Sequence, residues 1–136
     1  MTASNAKLID IFKEIVAKKI ASLKLDLIGY EHVARAKKDE NGTATSEMEY
    51  SSKFKFEIPK RNGPLSFVQD TVKVTETIPL ALETDKLQSG AYSISFLGLK
   101  ISYIDQYQNI YFKATGYIIT DEETGVEVAR NDGQNQ

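Results

Sequence analysis

The sequence predicts an α+β fold, mainly β: an N-terminal amphipathic helix packed on a strongly curved antiparallel sheet, or a small β-barrel, of six to seven strands. Three observations carry this prediction. Residues 4–23 repeat apolar side chains at helical spacing. Glu40-Asn41-Gly42-Thr43 lies between two stretches of alternating polarity, the strongest short-range hairpin signal. Gly29, Gly98 and Gly116 fall inside strand patterns, where a glycine marks a bulge or a tight bend.

Ser4 or Asn5 is suited to cap the helix, whose apolar face comprises Leu8, Ile9, Ile11, Phe12, Ile15, Val16, Ile20 and Leu23. Glu14 and Lys18 stand four apart in the favourable order. If Asn41-Gly42 is a two-residue type I′ loop, Glu40 faces Thr43 and the register of residues 25–58 follows. One face then pairs Leu25 with Ile58, Leu27 with Phe56, Gly29 with Phe54 and Val33 with Tyr50. The other pairs Ile28 with Lys55, Tyr30 with Lys53 and His32 with Ser51. Two pairs fit poorly: Glu31 with Ser52 on the apolar face, and Asp26 against Glu57 on the polar one.

Pro59 and Arg61-Asn62-Gly63-Pro64 close the hairpin, and a third strand follows from Phe67 to Ile78. It places Val68, Val72, Val74 and Ile78 inward and Gln69, Thr71, Lys73, Thr75 and Thr77 outward. Residues 80–90 read as a loop with one helical turn, ending at Gly90. Strands Ala91–Leu97 and Leu99–Asp105 meet at Gly98, and a last long strand starts at Ile110. Pairing Asp105 with Ile110 puts Leu99, Ile101, Tyr103, Phe112, Ala114 and Ile118 on one face, and Lys100, Ser102, Lys113, Thr115 and Tyr117 on the other. A turn at residues 121–125 leads to a short closing strand, Val126 to Ala129. One domain over residues 1–130 and a disordered polar tail at 131–136 are expected.

Composition excludes several chemistries. With no cysteine among 136 residues, thiol nucleophiles, disulfides and thiolate metal sites are ruled out, and His32 is the one histidine available to a metal or a catalytic triad. No phosphate loop, nucleophile elbow or dinucleotide fingerprint occurs. The adjacent Glu122 and Glu123 read as a solvated turn. The expectation is therefore a non-enzymatic protein with no cofactor and no metal. Lys7, Asp10, Lys13, Glu14, Lys18 and Lys19 interrupt any apolar run at the N-terminus, so neither a signal peptide nor a membrane span is expected, and the predicted location is cytoplasmic.

What remains is a pattern of aromatics interleaved with lysines on outward strand faces. Tyr30, His32, Lys53 and Lys55 form one group; Lys100, Tyr111, Lys113 and Tyr117 form a second. Rings stack on unpaired bases while lysines neutralise phosphate, so these eight residues are the candidate contacts to RNA or another single strand. Strand propensity of tyrosine and the solubility that lysine lends to sheet edges explain the same pattern without a ligand. Glu47, Glu49 and Glu57 on the first face oppose phosphate. A protein-interaction or homo-oligomeric module is the other reading, motivated by the apolar helix and by Ile28, Ile104 and Ile119, which the predicted registers turn outward.

Residues 66–119 also carry a pattern of strands and turns: a Val-rich strand ending in Ile78-Pro79, then Ser89-Gly90, Leu97-Gly98-Leu99-Lys100-Ile101 and Ile110-Tyr111-Phe112-Lys113-Ala114. It resembles the PrgU-like group of small proteins encoded on Gram-positive conjugative plasmids and transposons. The resemblance implies a barrel of the PUA type, RNA contact, and a regulatory role in maintenance or transfer of the element. It supplies no catalytic residue.

Overall fold

A computed structural model describes residues 3–133. Helix α1 (Ala3–Ala21) is followed by β1 (Leu25–Lys38), β2 (Ala44–Glu57), β3 (Gln69–Thr75), α2 (Thr84–Ser89), β4 (Tyr92–Leu97), β5 (Lys100–Ile104), β6 (Ile110–Ala114), β7 (Gly116–Asp121) and β8 (Val126–Asn131). The fold is α+β and mainly β. Among the described residues, eight strands make one mixed sheet in the order β5-β6-β3-β2-β1-β4-β7-β8. The expected six or seven strands, the all-antiparallel pairing and the barrel alternative are corrected. The sheet is open, and β3 pairs with β6 in parallel.

The first hairpin shows why the predicted register is off by one over much of its length. Gly42 adopts φ +79, and Asn41 is not among the positive-φ residues, so the type I′ turn does not form. Asp39 decides this. Its carboxylate accepts the N–H groups of Asn41 at 2.9 Å and Thr43 at 3.0 Å. The Asp39 carbonyl accepts the Gly42 N–H at 2.9 Å, and the Asp39 N–H donates to Thr43 at 2.9 Å. The loop thus holds three residues, Glu40 to Gly42, with glycine in the left-handed position that closes such loops.

Beyond an irregularity between Ala36 and Lys38, Tyr30 stands opposite Phe54, Glu31 opposite Lys53 and His32 opposite Ser52. A bulge at Ile28 restores the predicted pairing at the base, where Leu27 faces Phe56 and Asp26 faces Glu57. The misfit of Glu31 is resolved, since it lies outward across from a lysine. Gly29 lies opposite Lys55, not Phe54; a Cβ at Gly29 would meet the Lys55 Cβ at 3.1 Å.

The second hairpin repeats the same device. Asp105 accepts the N–H groups of Tyr107 and Asn109, each at 2.9 Å, and Gln108 takes the left-handed position at φ +67. Ile104 therefore faces Ile110 and Tyr103 faces Tyr111, with a bulge before Ile101 and Phe112. The hairpin continues past Gly98 as the β4–β7 ladder, where Leu97 faces Gly116. Gly98 has φ +62, and a Cβ there would meet Thr115 Oγ1 at 2.4 Å, so the bend needs glycine. The expected single long strand from Ile110 breaks at Thr115. This break exchanges the faces: Tyr117 and Ile119, predicted outward, are buried.

Strand β3 is shorter than predicted, leaving Val68 and Ile78 exposed beyond its ends. The core lies on the inner face, built from Leu25, Leu27, Phe54, Phe56, Val72, Val74, Ile94, Phe96, Phe112, Tyr117 and Ile119. Helix α1 spans Ala3–Ala21, so Ser4 and Asn5, read from the sequence as its caps, lie within its first turn. Only its C-terminal half is anchored: Ala17 and Ile20 are buried, whereas Leu8, Ile11, Phe12 and Ile15 are each more than half exposed. No helix among the described residues is long and apolar enough to cross a membrane. Asn131, placed in the tail by the sequence, ends β8; residues 134–136 lie outside the described residues.

Candidate nucleic-acid interface

Antiparallel pairing sets Lys53 of β2 opposite Lys73 of β3. The parallel ladder sets Lys73 opposite Lys113 of β6, and Lys113 in turn faces Lys100 of β5. Four lysines thus stand in one row across four adjacent strands, a backbone span of roughly 14 Å at about 4.8 Å per strand. Lys55, opposite Thr71, adds a fifth cation on the same face of β2. Like charges directly across a ladder repel, yet none of these five lysines is ion-paired among the described residues. The carboxylates that are paired engage Lys18, Lys24, Arg35, Lys37, Lys86 and Arg130 instead.

Lys73, in the middle of the row, feels this most. Partial burial, then the charges of Arg35, Lys113 and Lys53, hold its ammonium below the ordinary lysine range, with Glu49 acting in the opposite sense. The row runs along a cleft of about 1110 Å³ that Arg35, Lys53, Lys73, Tyr103, Tyr111 and Lys113 help to line. At its β5–β6 end the exposed rings of Tyr103 and Tyr111 stack, with centroids 4.3 Å apart and planes 14° from parallel. The Tyr111 hydroxyl donates to Asp105 at 3.0 Å, which raises its pKa and fixes the ring.

The acids predicted to oppose phosphate have partners of their own. Glu49 pairs with Arg35 at 3.1 Å beside the cleft, and Glu47 with Lys37 at 3.7 Å. Glu57 accepts the Gln69 side-chain amide at 2.6 Å.

Of the eight residues predicted from sequence, Lys53, Lys55, Lys100, Tyr111 and Lys113 share this exposed face. Two groups that looked separate in the sequence are joined by β3 into one. Tyr30, His32 and Tyr117 belong to the inner side. Register carries Tyr30 onto Phe54, with ring centroids 5.3 Å apart, and its hydroxyl accepts the Leu80 N–H at 2.8 Å. His32 stacks on Tyr50 and its Nε2–H donates to the Glu76 carbonyl at 3.2 Å. Tyr117 is 1% exposed and donates to the Glu76 carboxylate at 2.7 Å; burial, then this carboxylate, raises its pKa. Ser52 and Asn131 donate to the same carboxylate. These three predicted contacts are therefore parts of an internal polar cluster.

Two residues of the outer face were missed by sequence reasoning. Lys73 was placed outward but left unassigned, because only the β3–β6 pairing puts it between Lys53 and Lys113. Tyr103 was placed inward by a register one residue out; Asp105 at the head of its loop is the signal that corrects it.

Comparison with protein-family models, with curated proteins and with solved structures returns no match.

Proposed function

We propose that this protein is a non-enzymatic accessory or regulatory factor of the cytoplasm that binds RNA or another single-stranded nucleic acid across the outer face of β2, β3, β6 and β5. One observation carries this reading: four in-register lysines, none of them in an ion pair among the described residues, beside a stacked tyrosine pair. A row of repelling ammonium groups lowers stability and gains its counter-charge from a bound polyanion. Exposed rings at its end favour unpaired bases over a duplex, whose bases are already stacked. A role in a mobile genetic element rests on the resemblance of residues 66–119.

Anisotropy of labelled single-stranded RNA at low and moderate salt is the test. Engagement of four lysines should give a slope of log affinity against log salt of about −3. Absence of binding even at low salt would end the proposal.

A second reading has its own observation. Leu8, Ile11, Phe12 and Ile15 form an exposed apolar stripe on α1, which suits a protein partner or a second copy of the chain. Sedimentation addresses it, since a strict monomer at high concentration would count against self-association.

A further inference from the structure

We propose that the apolar groove between α1 and β5 is a subsite for one unpaired base of the strand held on the lysine row; this rests on the single-strand reading above. The groove has a volume of about 550 Å³ and is lined by Leu8, Ile9, Phe12, Lys13, Tyr103 and Ile104. Leu8 and Phe12 lie one helical turn apart on the same side of α1, and both are more than half exposed. A base lays its flat faces against such walls and keeps its hydrogen-bonding edge toward water.

Its position identifies the occupant. Tyr103 lines both this groove and the lysine cleft, and its ring stacks on Tyr111. The row ends on β5 at Lys100, three residues before Tyr103, so a strand whose phosphates follow Lys53, Lys73, Lys113 and Lys100 reaches Tyr103 by turning along β5. There one base leaves the row and turns toward Phe12. Lys13 places a cation at the rim, where the sugar-phosphate of that nucleotide must pass. Two regions that share no sequence neighbourhood thereby form one continuous track: charge along the sheet, and an apolar slot at its end.

The full chain is titrated with a labelled RNA of about eight nucleotides, and with a series in which a single abasic nucleotide is walked along it. The expected result is that one abasic position weakens binding by about tenfold, and that Phe12→Ser weakens the intact RNA by the same factor and makes that position indifferent. Leu8→Ser repeats the measurement at a second exposed site, with melting curves confirming that both variants fold. If RNA binds and Lys113→Glu weakens it, but Phe12→Ser and every abasic position leave affinity unchanged, the base subsite is overturned and the lysine-row reading stands. If Phe12→Ser converts an oligomer to a monomer at unchanged affinity, the groove is covered by a second copy and the inference is likewise overturned. If no RNA binds at all, the proposed function falls and the subsite falls with it.

Discussion

The two faces of the sheet both concentrate polar side chains, and they treat them in opposite ways. On the inner side, Tyr117, Ser52 and Asn131 all donate to the Glu76 carboxylate, and Tyr30 and His32 hold the backbone nearby at Leu80 and Glu76. Every donor has its acceptor within the fold. On the outer side, five lysines stand together with no carboxylate partner among the described residues. A satisfied cluster spends its interactions on the native state, whereas an unsatisfied one keeps them for a ligand. Polarity alone therefore does not mark a site; the lack of an internal partner does.

Breaking the inner cluster should show in stability alone. Glu76→Ala leaves three donors without an acceptor, one of them on the fully buried Tyr117, and should cost about 3 kcal/mol in a urea melt. RNA affinity of the folded fraction is expected to change less than twofold. A large loss of affinity by a stably folded Glu76→Ala chain would place the inner cluster in the site.

The outer face should respond in the opposite manner. Charge reversal of the double variant Lys53→Glu, Lys113→Glu is expected to weaken RNA binding by about 100-fold, while relief of repulsion on Lys73 keeps the melting temperature from falling. Lys73→Gln sharpens the contrast, because its two effects have opposite signs. Binding weakens and the salt slope becomes shallower by about 0.7, while relief of repulsion across two ladders raises stability by about 0.5 kcal/mol. A Lys73→Gln chain that is less stable would mean that the row is structural.

The smallest effect tests whether like charges across a ladder imply a site. Asp26 faces Glu57 near the sheet's base, and burial, then Glu57 and Glu122, hold the Asp26 carboxyl above the ordinary aspartate value. The native state thus binds this proton more readily than the unfolded chain does. Stability falls as pH rises through the raised value and is recovered as pH falls toward the unfolded one. Asp26→Asn should gain under about 1 kcal/mol at neutral pH, given the exposure of the pair, and remove this part of the pH dependence. A single proton relieves that pair. For the lysine row the counter-charge proposed is a bound polyanion.

Much of the fold was legible because its signals are local. Alternating polarity marks β1 and β2, Pro59 follows the end of β2, and Gly90 ends α2 in the left-handed conformation at φ 75. The failures are equally specific. Asn41-Gly42 promised a two-residue turn, but Asp39 captures two amides of the loop and lengthens it by one. Asp105 captures two amides in the same way in the second hairpin, but there it shortens the expected four-residue loop to three. A shift of one residue in a strand exchanges its faces, which is why Tyr30 and His32 were assigned outward. Lys53 and Lys55 kept their outward place because Phe54 and Phe56 on either side are fully buried.

The sequence by itself determined where most strand segments lie and which lysines point away from the core on β2 and β6. Those follow from period-two alternation and turn chemistry within a few residues. Only the tertiary structure decided that β3 lies between β2 and β6, and hence that Lys53, Lys73, Lys113 and Lys100 form one row. It also decided that Tyr103 joins that row to a groove on α1. The physical reason is that strand adjacency is a non-local choice: residues 73 and 113 are brought together by burial of Val72, Val74, Phe112 and Ala114 in a common core, which no local pattern specifies.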